Sequence, residues 1–236
     1  MPGILYLVPT PLGDIAPRDT IPAGTLEIAR RLEHWVVETP KVARRFLKAI
    51  DLKVPLQSAH LQVLDTNTGA EQLPALLAPL EAGHDVGLVS DAGCPALADP
   101  GARLVRLAHA RAITVSPLPG PSAVLLALMG SGMNGQRFAF HGYLPVDPAA
   151  RRRALRDLEQ GSRAGDITQI AIETPYRNTR FFEDALAVCD PQTLLGIAID
   201  LTLPCQLVHT RTISGWRGCQ LPLDKRPAVF LLYAGR

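Results

Sequence analysis

Five short segments of this 236-residue sequence combine proline, glycine and carboxylate or hydroxyl side chains in patterns suited to holding a polar ligand. They are Pro9-Thr10-Pro11-Leu12-Gly13-Asp14, Glu38-Thr39-Pro40, Ser90-Asp91-Ala92-Gly93-Cys94-Pro95, Ser116-Pro117-Leu118-Pro119-Gly120-Pro121-Ser122 and Glu173-Thr174-Pro175-Tyr176-Arg177. Glycine lets a backbone approach a ligand closely, and proline fixes a turn in advance. A carboxylate offsets cationic charge or accepts a hydroxyl proton. Metal chemistry has less support. Cys94, Cys189, Cys205 and Cys219 are scattered without a C-x-x-C pair, which argues against a zinc site or a disulfide framework. The six histidines show no ligand spacing either, so no metal is expected. Only His141, before Gly142-Tyr143-Leu144-Pro145, stands in a cleft-like context, and a hydrogen-bonded structural histidine is the competing reading.

Each of the five segments follows an apolar run that reads as a buried strand. Such runs cover residues 4–8, 35–37, 86–89, 113–115, 138–140, 169–172, 194–199 and 228–233. Helix-period segments lie among them at 25–32, 42–50, 71–82, 103–110, 149–160 and 179–188. This alternation predicts an α/β protein with open, largely parallel sheets covered by helices. Strand signals at 205–212 and then 228–233 make the second sheet mixed. The proline-rich 116–122 segment near mid-chain is the expected hinge, dividing an N-terminal domain, 1–117, from a C-terminal domain, 118–236. In such sheets ligands bind outside the carboxyl ends of the strands, where the five segments would gather. An ordinary strand-to-helix turn would explain any one of them, but hardly all five.

One formal motif is set aside. Gly130-Ser131-Gly132-Met133-Asn134-Gly135 matches the dinucleotide fingerprint, which needs a strand before it and a helix after it. Here a helix-like run precedes and a strand-like run follows, so a helix-to-strand connection is predicted instead. A nicotinamide-linked oxidoreductase therefore ranks far down.

With 24 Lys+Arg against 22 Asp+Glu, the formal charge of +2 gives no generic polyanion binder. Phosphate contact would need local patches, for which Arg44, Arg45, Lys48 and the arginine-rich 151–156 segment are the candidates. A solvated helix face is the competing reading for that segment. The N-terminus shows no basic segment or cleavage site, and no apolar stretch is long enough to span a bilayer. The expected setting is the cytoplasm, without a membrane.

Taken together, the segments resemble the tetrapyrrole-methylase superfamily of class III S-adenosylmethionine-dependent methyltransferases. The nearest branch methylates a ribose 2′-hydroxyl in small-subunit ribosomal RNA. The resemblance rests on Leu5-Tyr6-Leu7-Val8 with Thr10-Pro11-Leu12-Gly13-Asp14, on Val89-Ser90-Asp91-Ala92-Gly93-Cys94-Pro95 and on Asp99-Pro100-Gly101. Pro117-Leu118-Pro119-Gly120-Pro121-Ser122-Ala123, Glu173-Thr174-Pro175-Tyr176-Arg177 and Pro227-Ala228 continue it in order over nearly the whole chain. It implies two α/β domains with S-adenosylmethionine in a cleft between them, and a homodimer. The implied cofactor contacts are Pro11, Ser90, Asp91, Ala92, Gly93, Pro121 and Ser122, followed by Ile172, Glu173, Asp200, Leu201, Pro227 and Ala228.

Methyl transfer is an in-line displacement on an activated electrophile, so alignment and exclusion of water do much of the work. No catalytic triad is required. A hydroxyl acceptor calls for a nearby proton acceptor; Glu38 and Glu173 are the candidates, with His141 third. For each, a structural carboxylate or imidazole orienting a turn is the competing reading. The sequence also departs from the ribosomal-RNA branch. Glu38-Thr39-Pro40-Lys41 stands where that branch carries Glu-Asp-Thr-Arg, and Phe140-His141-Gly142-Tyr143-Leu144-Pro145 replaces a Phe-Glu-Gly-Phe-Leu-Pro type segment. Pro204-Cys205-Gln206 replaces further charge after Asp200-Leu201-Thr202. These departures imply a sister group that keeps the cofactor loops. An RNA-directed methyltransferase is the leading reading, with methylation of a tetrapyrrole-like small molecule and a non-catalytic S-adenosylmethionine-binding module as its rivals.

Overall fold

A computed structural model describes residues 1–235. The chain forms two compact units, Met1–Ser122 and Ala123–Arg236.

In the first unit, strands β1 (Leu5–Leu7), β2 (His34–Val37), β3 (His60–Val63), β4 (Val86–Val89) and β5 (Val115–Pro117) make one sheet, ordered β3-β2-β4-β1-β5. All its pairings are parallel. Helices α1 (Ala23–Arg30), α2 (Pro40–Ala49), α3 (Leu73–Glu81) and α4 (Gly101–Ala110) connect the strands. Alternate strand residues face opposite sides, and the core divides accordingly. Tyr6, Trp35 and Val37 pack with Leu26 and Ala29 of α1 and Phe46 and Leu47 of α2. Leu5, Val36 and Leu88 pack with Leu76, Leu77 and Leu80 of α3 and Leu104 and Ala108 of α4. Burial on both faces is why β4 is apolar throughout. Its Gly87 makes room for a neighbour, since a Cβ there would lie 2.5 Å from the Trp35 ring.

Two strands of this unit depart from the sequence reading. β3 was not expected because His60-Leu61-Gln62-Val63 is half polar; it survives as a partly exposed edge strand paired to β2. β5 begins at Val115 rather than Ile113. Ala112 takes a left-handed conformation, φ 53°, and the Ile113 amide still bonds Ala108 O at the end of α4. Pairing with β1 starts only where Val115 meets Leu5. Residues after β5 remain with the first unit, the Leu118 amide donating to Leu7 O at 3.0 Å and Thr25 Oγ1 to Pro119 O at 2.9 Å.

The second unit holds β6 (Phe138–Tyr143), β7 (Thr168–Glu173), β8 (Leu194–Ile199), β9 (Leu207–Thr212) and β10 (Ala228–Tyr233), ordered β6-β7-β10-β8-β9. β6 and β7 are parallel, and the remaining pairings are antiparallel, so this sheet is mixed. Against the sequence reading, β6 runs on past Phe140 to Tyr143 and β9 begins at Leu207 rather than Cys205. Helix α5 (Ala123–Ser131) packs on β8, β9 and β10 and leads through the 132–137 connection into β6. The glycine-rich segment is therefore helix-to-strand, as expected. Helices α6 (Pro148–Gly165), α7 (Asn178–Val188) and α8 (Ile213–Trp216) share a core with Ala171, Ile197 and Phe230. α6 is bounded as its sequence dictates: Asp147 caps it through the Ala150 amide, Pro148 opens it, and left-handed Asp166 ends it. Among the described residues no helix is long and apolar enough to cross a membrane.

Candidate functional site

Parallel pairing in the first unit brings the ends of β1, β2, β4 and β5 to one edge of the sheet. The loops that follow are laced together there. Thr10 and Gly93 exchange backbone hydrogen bonds of 2.9 and 3.1 Å, and Gly93 needs its glycine because its φ is +78°. The Asp91 carboxylate accepts from the Thr39 amide at 3.2 Å and from Thr39 Oγ1 at 2.8 Å. The Asp91 amide donates to Glu38 Oε2 at 3.3 Å. Cys94 Sγ donates to Pro121 O at 3.4 Å, which joins the loop after β5, and Pro121 and Ser122 are both buried. Asp99 braces the same loop by accepting from the Ala96 amide at 2.9 Å and the Gly101 amide at 2.6 Å. It thereby holds Ala96 and Ala98 at φ of 65° and 64°, a strained state for residues with a Cβ.

A cavity of about 80 Å³ opens among these loops, walled by Thr10, Pro11, Gly13, Asp14, Ser90 and Asp91 and by Arg45 and Phe46 of α2. Glu38 adjoins it through the Asp91 amide. Burial raises the Glu38 carboxyl above its ordinary range, and the charges of Asp91, Asp99 and Asp65 add to that rise against the lowering effect of the Asp91 hydrogen bond. A half-buried carboxylate whose pKa is raised in this way is chemically able to accept a proton.

In the second unit β7 and β8 end where β10 begins, since Ala228 lies opposite both Glu173 and Ile199. Glu173, Asp200, Pro227 and Ala228 are thus neighbours at one end of that sheet, with Ile172 and Leu201 beside them. The Asp200 amide donates to Pro227 O at 3.1 Å, and its carboxylate accepts from Arg226 Nε at 2.6 Å and the Cys205 thiol at 3.3 Å. Asp200 sits at φ 48° and Thr202 at φ 72°. The Glu173 side chain is fully buried. Its Oε1 accepts from the Thr174 amide at 2.6 Å and from Arg177 Nη2 at 2.5 Å, while Arg177 Nε donates to Thr174 Oγ1 at 3.1 Å. Oε2 has no hydrogen-bond partner among the described residues.

His141 stands apart from that group. It is exposed on β6, and its Nε2 lies 2.6 Å from Oε1 of Gln169, near the opposite end of β7 from Glu173. The arginine-rich segment also resolves into structure. Arg151 and Arg152 both bond the buried Asp184, at 2.7 and 2.5 Å through their Nε atoms. Burial opposes ionisation of Asp184, but the hydrogen bonds from Arg152 and Arg151 together hold its carboxyl below the ordinary aspartate range. Thr39, Asp99 and Arg226 were not singled out from sequence as site residues. An aspartate two residues before a glycine amide is an Asx-turn signal that marks Asp99; nothing local marks Arg226. Among the described residues no group of three or more His, Cys, Asp or Glu is placed to hold a metal ion.

The model of the tetrapyrrole (corrin/porphyrin) methylases matches residues 5–214. The chain belongs to that family. It is 33% identical over 207 residues to a protein named ribosomal RNA small subunit methyltransferase I from Escherichia coli O157:H7, covering 88% of this chain and 68% of that one. It is 36% identical over 216 residues to the protein of the same name from Xylella fastidiosa, covering 90% and 74%. Among solved structures, the methyltransferase CobJ superposes with a TM-score of 0.64 at 18% identity, over 98% of this chain and 99% of CobJ. The uroporphyrin-III-C-methyltransferase of Thermus thermophilus gives 0.58 at 17%, over 98% and 94%. The fold of this family member is thus that of solved methyltransferases, and the chain is a methyltransferase that draws on a methyl donor.

Proposed function

We propose that the chain transfers a methyl group from S-adenosylmethionine to a ribose 2′-hydroxyl in RNA of the small ribosomal subunit. The observation that carries the acceptor is the 33–36% identity, over 88–90% of this chain, to relatives named for small-subunit ribosomal RNA. The solved structures, at 14–18% identity, speak for the fold alone and give a tetrapyrrole acceptor no support of its own.

The residues present suit that donor. A cationic, hydroxyl-bearing ligand finds the carboxylates of Asp14 and Asp91 and the hydroxyl of Ser90 in one cavity wall, beside Gly13. In the first unit Pro11, Ser90, Asp91, Ala92 and Gly93, with Pro121 and Ser122, are the proposed donor contacts. Ile172, Glu173, Asp200, Leu201, Pro227 and Ala228 are those of the second. S-adenosylmethionine supplies a methyl group already activated on a sulfonium.

The chain then has to orient the acceptor, exclude water and take one proton. Glu38 is the residue for the proton, because it is half-buried, held by one amide and raised in pKa. Glu173 is fully buried, and its Oε1, bonded to Arg177 and to the Thr174 amide, positions the turn after β7. His141 is tied to Gln169.

The test is transfer of labelled methyl from S-adenosylmethionine into a methylation-deficient extract fractionated into RNA, protein and small molecules. Label in nuclease-sensitive RNA, mapping to a ribose of the small subunit, is the expected result. Label confined to small molecules overturns the RNA acceptor, and donor binding without any transfer overturns the enzyme.

A further inference from the structure

The two basic segments of the sequence have different fates in the fold, and the difference identifies an interaction surface. In α6, Arg151 is buried against Asp184, Arg152 shares that carboxylate, and Asp157 and Glu159 interrupt the remaining positive charge. In α2, Lys41, Arg44, Arg45 and Lys48 are all exposed, and no acidic residue occurs from 39 to 50. Among the described residues none of these four side chains has an ion pair or a side-chain hydrogen bond. At about 100° per residue their positions fall within roughly a 100° arc, a single stripe opposite the face that buries Ala43, Phe46 and Leu47.

This placement opposes the helix's own preferences. Lys41 lies in the first turn, where the helix dipole favours acids and where α2 has none. Lys41 with Arg45, and Arg44 with Lys48, are like-charge pairs four residues apart, each unfavourable by roughly 0.2–0.5 kcal/mol. Local choices that conflict with the element they occupy mark positions held for another purpose. The stripe also has a direction. It starts three residues after Glu38, and its Arg45 is in the wall of the loop cavity beside Asp91. Seven residues of helix carry it about 10 Å farther.

We infer that the basic face of α2 carries the phosphate backbone of the RNA substrate, setting the strand's register so that a ribose reaches Glu38. Phosphate contacts position a nucleic acid without reading its sequence, which is the task a row of unpaired cations performs. The inference rests on the RNA reading above and adds where the strand lies.

The experiment measures binding of transcribed small-subunit ribosomal RNA to the whole chain as a function of salt. The wild type is compared with a Lys41→Gln/Arg44→Gln/Lys48→Gln variant and with an Arg153→Gln/Arg156→Gln variant of α6. Arg45 is left intact because it lines the donor cavity. Each lost phosphate contact on a single strand lowers the log–log salt slope by about 0.7, so the α2 variant should lose about 2 and bind about tenfold or more weakly at low salt. Its S-adenosylmethionine affinity should not change. Its melting temperature should hold or rise, because like-charge repulsion is relieved. The α6 variant should keep the wild-type slope. An α2 variant with an unchanged slope overturns this placement while leaving the RNA reading intact. A wild-type chain that binds no RNA removes the reading itself, and the placement with it.

Discussion

The amide of Asp91 donates to Glu38 while the Asp91 carboxylate accepts twice from Thr39, the residue next to Glu38. Three hydrogen bonds thus close a ring between the loops that follow the adjacent parallel strands β2 and β4. The ring does two things at once. It fixes Asp91 in the cavity wall, and it holds Glu38 where burial, with the charge of Asp91, raises its pKa against the lowering effect of the Asp91 amide. The cavity wall and the proposed proton acceptor are therefore mechanically one assembly.

The first consequence concerns Asp91→Ala. This change removes both bonds to Thr39 and the charge in the cavity wall, and a net hydrogen bond to a charged group is worth about 1.5–3 kcal/mol. With the exposure of Asp91 placing it at the low end, S-adenosylmethionine affinity should fall about tenfold in calorimetry while the chain remains folded. Unchanged affinity would mean that the loop after β4 is not where the donor binds.

Glu38→Gln separates the proton from the scaffold. The amide side chain still offers an oxygen to the Asp91 N–H but takes no proton, so kcat should drop about 10²-fold or more with donor affinity preserved. In the wild type the proposed base works deprotonated, so the rate should fall as pH drops through a Glu38 pKa raised above the ordinary glutamate range. The variant should lose that acid limb; a limb that persists assigns the proton elsewhere. Stability moves the other way. A pKa raised by folding contributes stability below the unfolded-state value and loses it as pH rises through the folded-state value. At neutral pH the wild type therefore carries an unfavourable buried charge, and Glu38→Gln should melt slightly higher.

Much of this assembly was legible because burial writes itself into composition. Val86–Val89 is apolar on both faces, so strand, sheet class and the loop after it could be read together. The five loops were visible for the same reason: proline and glycine mark where a strand stops. What local pattern cannot carry is the partner of a polar side chain. Arg151 and Arg152 look like a solvated run until α7 brings Asp184 against them from 33 and 32 residues away. Glu173 looks like a free acid until the first turn of α7 folds Arg177 back onto it. β3 was invisible because an edge strand need not be apolar, and the start of β5 moved because one left-handed alanine extended the turn after α4.

The Arg151–Asp184 pair yields a prediction for stability rather than activity. Both side chains are almost fully buried, at 3% and 5% exposure. Removing one partner of such a pair strands a charge in the interior, which costs about 3–5 kcal/mol. Asp184→Ala should therefore lower unfolding stability by that order in urea titrations, with little change in donor affinity for whatever fraction stays folded. The pH dependence has a definite sign. Because Asp184 is held below the ordinary 3.8, its contribution is complete above that value and is lost as pH falls through the lower folded-state pKa. The wild-type advantage over Asp184→Ala should be constant through neutral pH and shrink only in strong acid. An advantage that already fades near pH 5 would contradict a lowered Asp184.

Gly120 tests whether the spacing of the loops itself matters. A Cβ at this position would lie 2.2 Å from Cγ and 2.5 Å from Cβ of Pro9, far inside contact distance. A proline ring cannot swing aside as a long side chain can, so Gly120→Ala must push the loop after β5 away from the loop after β1. Pro9 is followed at once by Thr10, whose backbone bonds to Gly93 connect β1's loop to β4's. Overpacking of this kind costs about 1–3 kcal/mol, so the variant should fold with a lowered melting temperature. Its affinity for S-adenosylmethionine should fall by more than that of a variant equally destabilised in the second unit's core, such as Leu155→Val. Equal affinities in the two variants would show that the gap between Gly120 and Pro9 serves packing alone.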